Sequence, residues 1–190
     1  MKKTTGVAFS LLLLGSISLY GCAQDRQSLG VPVAPAGAKP PVITAYFAPT
    51  EGTFGYPMRV YLAAEDPDGD MLQIAVQVSH VGYGNYPTDW TFLKPLYQNR
   101  FVGYLQWNTS SIHTGYLPEW TQITMRIGVV DKYGMESNEA ILPYLFVSGA
   151  RRSPPPPAPF DRADLPRLGY IGVNLHNPYR SDRREFFRGD

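Results

Sequence analysis

Two runs of alternating side chains, separated by Asp66-Pro67-Asp68-Gly69, restrict this chain more than any other feature. Before the turn, Met58, Val60, Leu62 and Ala64 alternate with Arg59, Tyr61, Ala63 and Glu65. After it, Leu72, Ile74, Val76 and Val78 alternate with Gln73, Ala75, Gln77 and Ser79. Successive side chains of a strand point to opposite faces, so each run predicts a strand with one buried face. Asp-Pro-Asp-Gly suits a type I turn, with Asp at the first position, Pro presetting φ at the second and Gly at the fourth. The two runs therefore pair antiparallel and crowd acidic side chains at one tip.

A second pair mirrors the first. Ile123, Met125, Ile127 and Val129 alternate with Thr124, Arg126, Gly128 and Val130. Asp131-Lys132-Tyr133-Gly134 turns the chain, and Ala140 to Val147 returns, with Pro143 suggesting an edge. Val42–Phe47, Asp89–Tyr97 and Phe101–Asn108 read as further strands, the second interrupted by Pro95. Gly82–Pro87 and Ser110–Glu119 read as loops, and no apolar pattern at helical spacing runs beyond a turn or two outside the N-terminal leader. About seven short strands in roughly 105 residues predict a single all-β sandwich over residues 42–149.

Ala64-Glu65-Asp66-Pro67-Asp68-Gly69-Asp70 and Val129-Val130-Asp131-Lys132-Tyr133-Gly134 resemble paired landmarks of bacterial immunoglobulin-like domains, among them cadherin-like, PKD-like and fibronectin-III-like repeats. The resemblance implies an immunoglobulin-like fold and a binding or structural role. The Cys…Trp…Cys core of antibody domains is absent.

Residues 1–21 read as a signal peptide, with Lys2 and Lys3 ahead of an apolar core containing Leu11–Leu14. Leu19-Tyr20-Gly21-Cys22 resembles the lipobox of bacterial lipoproteins, which implies that Cys22, the one cysteine of the chain, is acylated. Tyr20 is bulkier than the usual residue there. No Asp follows Cys22, and by the enterobacterial sorting pattern this implies the outer membrane. Residues 22–41, with Gly30, Pro32, Pro35, Gly37, Pro40 and Pro41, read as a tether. Residues 150–190 read as a separate tail, a spacer through Pro154–Pro157 followed by an Arg-rich aromatic segment. Residues 42–149 hold five Lys/Arg against ten Asp/Glu, whereas residues 151–190 hold eight Arg and five Asp/Glu. An acidic domain carrying a basic tail bears on partners rather than on fold.

The crowded carboxylates suggest a calcium site built from Glu65, Asp66, Asp68, Asp70 and Asp131, since Ca²⁺ takes six to eight oxygen ligands. The same residues are also those that turn geometry selects. Tyr83, Tyr86 and Trp90, in or beside a Gly-rich loop, are candidates for stacking on a sugar or a protein partner. Tyr170, Tyr179, Arg180, Arg183, Arg184, Phe186 and Phe187 are candidate contacts in the tail. Its aromatic and β-branched residues suit a segment that folds on a partner as well as a disordered one. His80, His113 and His176 are far apart in sequence without metal-ligand spacing, and neither a nucleophile elbow nor a phosphate-binding Gly loop is present. The expectation is a non-catalytic, lipid-anchored envelope protein with a protein partner. Binding of polysaccharide or peptidoglycan is the alternative, and nucleic acid is not expected.

Overall fold

A computed structural model describes residues 32–112, 115–149 and 153–177. Its strands are β1 (Val42–Phe47), β2 (Glu51–Gly52), β3 (Pro57–Glu65), β4 (Met71–His80), β5 (Gly84–Asn85), β6 (Asp89–Phe92), β7 (Arg100–Asn108), β8 (Gln122–Asp131), β9 (Ala140–Phe146) and β10 (Arg167–Ile171). One 3₁₀ turn, Pro95–Tyr97, occupies the end of what the sequence suggests as a single strand, because Pro95 cannot donate to a ladder.

The strands form two sheets. One has the order β1-β3-β7-β10; the other has β2-β9-β8-β4-β5, with β6 also alongside β4. This is an all-β sandwich, and the seven strands expected from the sequence are all present. However, β3 and β4 do not form the antiparallel pair that their shared turn predicts: Asp66–Gly69 carries the chain from one sheet to the other, so that both strands turn their apolar faces into the same core. The alternating residues do what their period requires. Val60, Leu62, Ile74, Val76, Val78, Met125, Ile127 and Val129 fill the space between the sheets around a buried Trp107.

Strand direction gives the sandwich two distinct ends. At one end lie the β3–β4 turn, the start of β7 and the β8–β9 turn, with Val42 opposite Glu65, Glu65 opposite Arg100 and Met71 opposite Asp131. At the other lie the start of β3, the β4–β5 turn and the loop between β7 and β8. Lys39 N–H donates to Asp68 Oδ2 at 2.7 Å, so the tether enters at the acidic end.

The packed unit extends well past residue 149, where sequence places the start of a separate tail. Ser153, Pro154 and Pro156 wall a cleft of about 400 Å³ with Phe47, Tyr56 and Tyr61. Phe160 is buried against Tyr61 on the outer face of the first sheet, ring centroids 5.6 Å apart. Then β10 pairs in parallel with β7 at the far edge. Glycine makes this docking possible. A Cβ on Gly103 would meet the Pro166 carbonyl oxygen at 2.6 Å, and one on Gly169 would run into the Thr91 side chain. Beyond the strand, Val173 and Leu175 enter the core, and Trp107 Nε1–H donates to the Val173 carbonyl at 3.0 Å. The segment folds on a partner, and the partner is its own sandwich.

Candidate functional site

At the acidic end the turns take up part of the carboxylate oxygens, while Asp70 Oδ1 and Asp131 Oδ2 are buried without a hydrogen-bond partner. Asp66 Oδ1 accepts from Asp68 N–H at 2.9 Å and Oδ2 from Asp70 N–H at 3.3 Å. Asp131 Oδ1 accepts from Tyr133 and Met135 N–H, both at 2.8 Å. Asp70 Oδ2 meets Lys132 Nζ at 3.2 Å. Gly69 and Gly134 take the positive φ that these turns need. Burial, reinforced by the neighbouring Asp70 carboxyl, raises the pKa of Asp66. Among the described residues no three of His, Cys, Asp and Glu are placed to hold a metal ion. Glu65, Asp66, Asp68, Asp70 and Asp131, the residues of the calcium expectation, are thus not gathered into one ligand set in this structure. Glu65 is exposed at the end of its strand, Asp68 caps the tether, and the buried acids hold backbone and lysine through their other oxygens.

The opposite end gathers rings. Tyr83 stacks on Tyr86 (4.8 Å, 21°) and on His176 (4.9 Å, 3°). Tyr86 Oη lies 2.8 Å from His80 Nδ1 and accepts the His176 N–H at 2.9 Å. His80 and Tyr86 are buried, and His80 Nε2 has no hydrogen-bond partner. Burial, with His176 adding repulsion, lowers the pKa of His80, and burial pushes the Tyr86 phenol up to about 12. Tyr86, expected as a surface contact, is therefore a buried clamp that ties the C-terminal segment to the β4–β5 turn. His80 and His176, remote in sequence, meet on either side of it.

Trp90 sits elsewhere, on the outer face of the second sheet opposite Ala75, and is 48% exposed. Tyr83 remains half-exposed. Tyr170 is half-exposed on β10 with the Arg167 guanidinium 4.3 Å above its ring. The expected trio of Tyr83, Tyr86 and Trp90 therefore does not form one surface. Cys22, Tyr179, Arg180, Arg183, Arg184, Phe186 and Phe187 lie outside the described residues.

Sequence reasoning missed the loop between β7 and β8. Ile112, Tyr116 and Trp120 are all strongly exposed there, at the end of the sandwich remote from the tether. Trp120, 64% exposed, has φ +69°. Thr121 N–H donates to the Pro118 carbonyl at 3.2 Å, so Trp120 takes the turn position that normally calls for glycine. Left-handed backbone costs an ordinary residue roughly 1–2 kcal/mol. The turn holds Trp120 there by further bonds: Trp120 N–H to the Phe146 carbonyl (2.8 Å) and Thr121 Oγ1–H to the Pro118 carbonyl (2.7 Å). Three large apolar residues within one Gly- and Pro-containing loop were the available signal.

Among the described residues no helix is long and apolar enough to cross a membrane. No family model matches the chain, and no curated protein matches it. Among solved structures, the chain is similar to the PKD domain of an M14-like peptidase from Thermoplasmatales archaeon SCGC AB-540-F20. The identity is 19%, the match covers 58% of this chain and 99% of that one, and the TM-score is 0.39. A score that low carries nothing about function.

Proposed function

We propose that this chain is a non-catalytic, lipid-anchored envelope module that holds a protein contact surface away from its membrane. Cys22 carries the acyl chains, in the outer membrane, and residues 23–41 form the tether. Acylation on one chain gives only marginal binding, so a stable anchor takes more than one. The sandwich then acts as a spacer: the nine residues of β7 span about 30 Å at about 3.3 Å each. The far end is the contact surface, with Trp120 at its tip.

The observation that supports this reading is the strained, exposed Trp120 at the end opposite the tether. Strained backbone positions cluster at functional sites, and Trp is enriched among the residues that anchor interfaces. Affinity purification of the full-length chain from detergent-solubilised envelopes tests it. Trp120→Gly relaxes the turn and removes the indole, so it keeps or slightly raises Tm while losing the co-purifying protein. A Cys22→Ser arm moves the chain from membrane to soluble fraction. Retention of the partner by Trp120→Gly refutes the contact surface, and membrane retention of Cys22→Ser refutes the anchor.

A further inference from the structure

The outer face of the second sheet carries a feature that neither the anchor nor the far end uses. Along one cross-strand row, Trp90 on β6 faces Ala75 on β4, which faces Gly128 on β8. A methyl group and a bare backbone therefore form a floor between larger neighbours. A Cβ built on Gly128 meets nothing within 4 Å. The result is an open trough of about 310 Å³ with the indole on one side and Gln77, Arg126 and Glu139 around it. Arg126 and Glu139 are already paired at 3.1 Å, so both are positioned before any ligand arrives.

We propose that this trough binds a pyranose oligosaccharide, with the apolar face of one sugar ring on the Trp90 indole. Its hydroxyls then meet the Gln77 amide, the Arg126 guanidinium and the Glu139 carboxylate, which together offer donors and acceptors on both sides of the floor. Three observations select this ligand class. Arg126 stands against two carboxylates, Glu136 and Glu139, on the lining, a net charge of −1, which disfavours phosphates and acidic peptides. Half of the indole is open to solvent, whereas Trp107 is fully buried, so Trp90 is not a core residue. An open floor between an aromatic side chain and hydrogen-bonding groups suits a flat ring with one apolar face and a polar rim.

A glycan array of pyranose oligosaccharides, probed with the full-length chain in detergent, tests this, followed by calorimetric titration of the strongest ligand. Trp90→Ala is expected to weaken binding at least 10-fold, and Trp90→Phe less. Gly128→Val is the decisive variant. Valine suits a strand and finds open space there, so Tm stays at or above the native value while the filled floor weakens binding at least 10-fold. A silent array, or binding unchanged in both Trp90→Ala and Gly128→Val, overturns the proposal. So does an envelope protein captured through Trp90 with no saccharide bound, which assigns the trough to a protein.

Discussion

At the scale of single residues, His80 couples stability to pH. Its ring is buried, one nitrogen meets Tyr86 and the other has no partner, so a second proton has nowhere favourable to go. Burial lowers its pKa below the ordinary 6.5, and the groups facing it are His176, Tyr83 and Tyr86. The unfolded chain therefore binds more protons than the folded one between the depressed pKa and 6.5, and stability falls as pH drops through that window. Asp66 acts with the opposite sign. Its raised pKa lets the folded state keep a proton above 3.8, a contribution lost as pH rises. Thermal unfolding of the native chain from pH 7 to pH 5 is expected to show Tm falling. In His80→Phe the fall flattens, although its Tm at pH 7 is lower because Tyr86 loses a partner. A slope unchanged by the substitution would remove His80 as its source.

At the scale of elements, alternation made the strands and the β8–β9 hairpin legible, because period 2 with one buried face leaves little freedom of register. It did not tell a hairpin from a crossover, and β3 and β4, joined by a tight turn, lie in different sheets. Along the chain, β3, β4, β8 and β9 lie where that pattern puts them. β10 was hidden by its context. Ile171, Val173 and Leu175 alternate too, but they follow a proline run that separates them from any neighbouring strand in sequence. The partner of β10, β7, lies some 60 residues earlier and runs parallel, a pairing that no turn motif announces. The candidate site was less legible still. Tyr86 and Trp90 are four residues apart and read alike, yet one is buried beneath His176 and the other lies on an open sheet face. Trp120 gave no pattern at all, since a positive φ at a non-glycine residue is set by the bonds around the turn. Leu175→Ala tests whether the segment belongs to the domain. Leu175 is fully buried, so the change is expected to cost about 2–5 kcal/mol in denaturant unfolding, as in any core. A cost near zero would return residues 167–177 to the status of a free tail.

At the scale of the whole molecule, the sandwich is polar in the geometric sense. The tether docks on the acidic turn through Lys39 and Asp68. The C-terminal segment runs parallel to β7 and arrives at the opposite end, beside Tyr86. That is the end of the sandwich that also carries the loop with Trp120. In the proposed function, this arrangement would separate membrane attachment from recognition by the length of the strands. The most direct measurement places a photo-crosslinking residue in turn at Tyr116 and at Glu65, in the full-length chain within its own envelope. A contact surface at the far end predicts a discrete protein adduct from position 116, lost when Trp120→Gly is added, and none from position 65. Adducts of equal yield from both ends, or from position 65 alone, would contradict it.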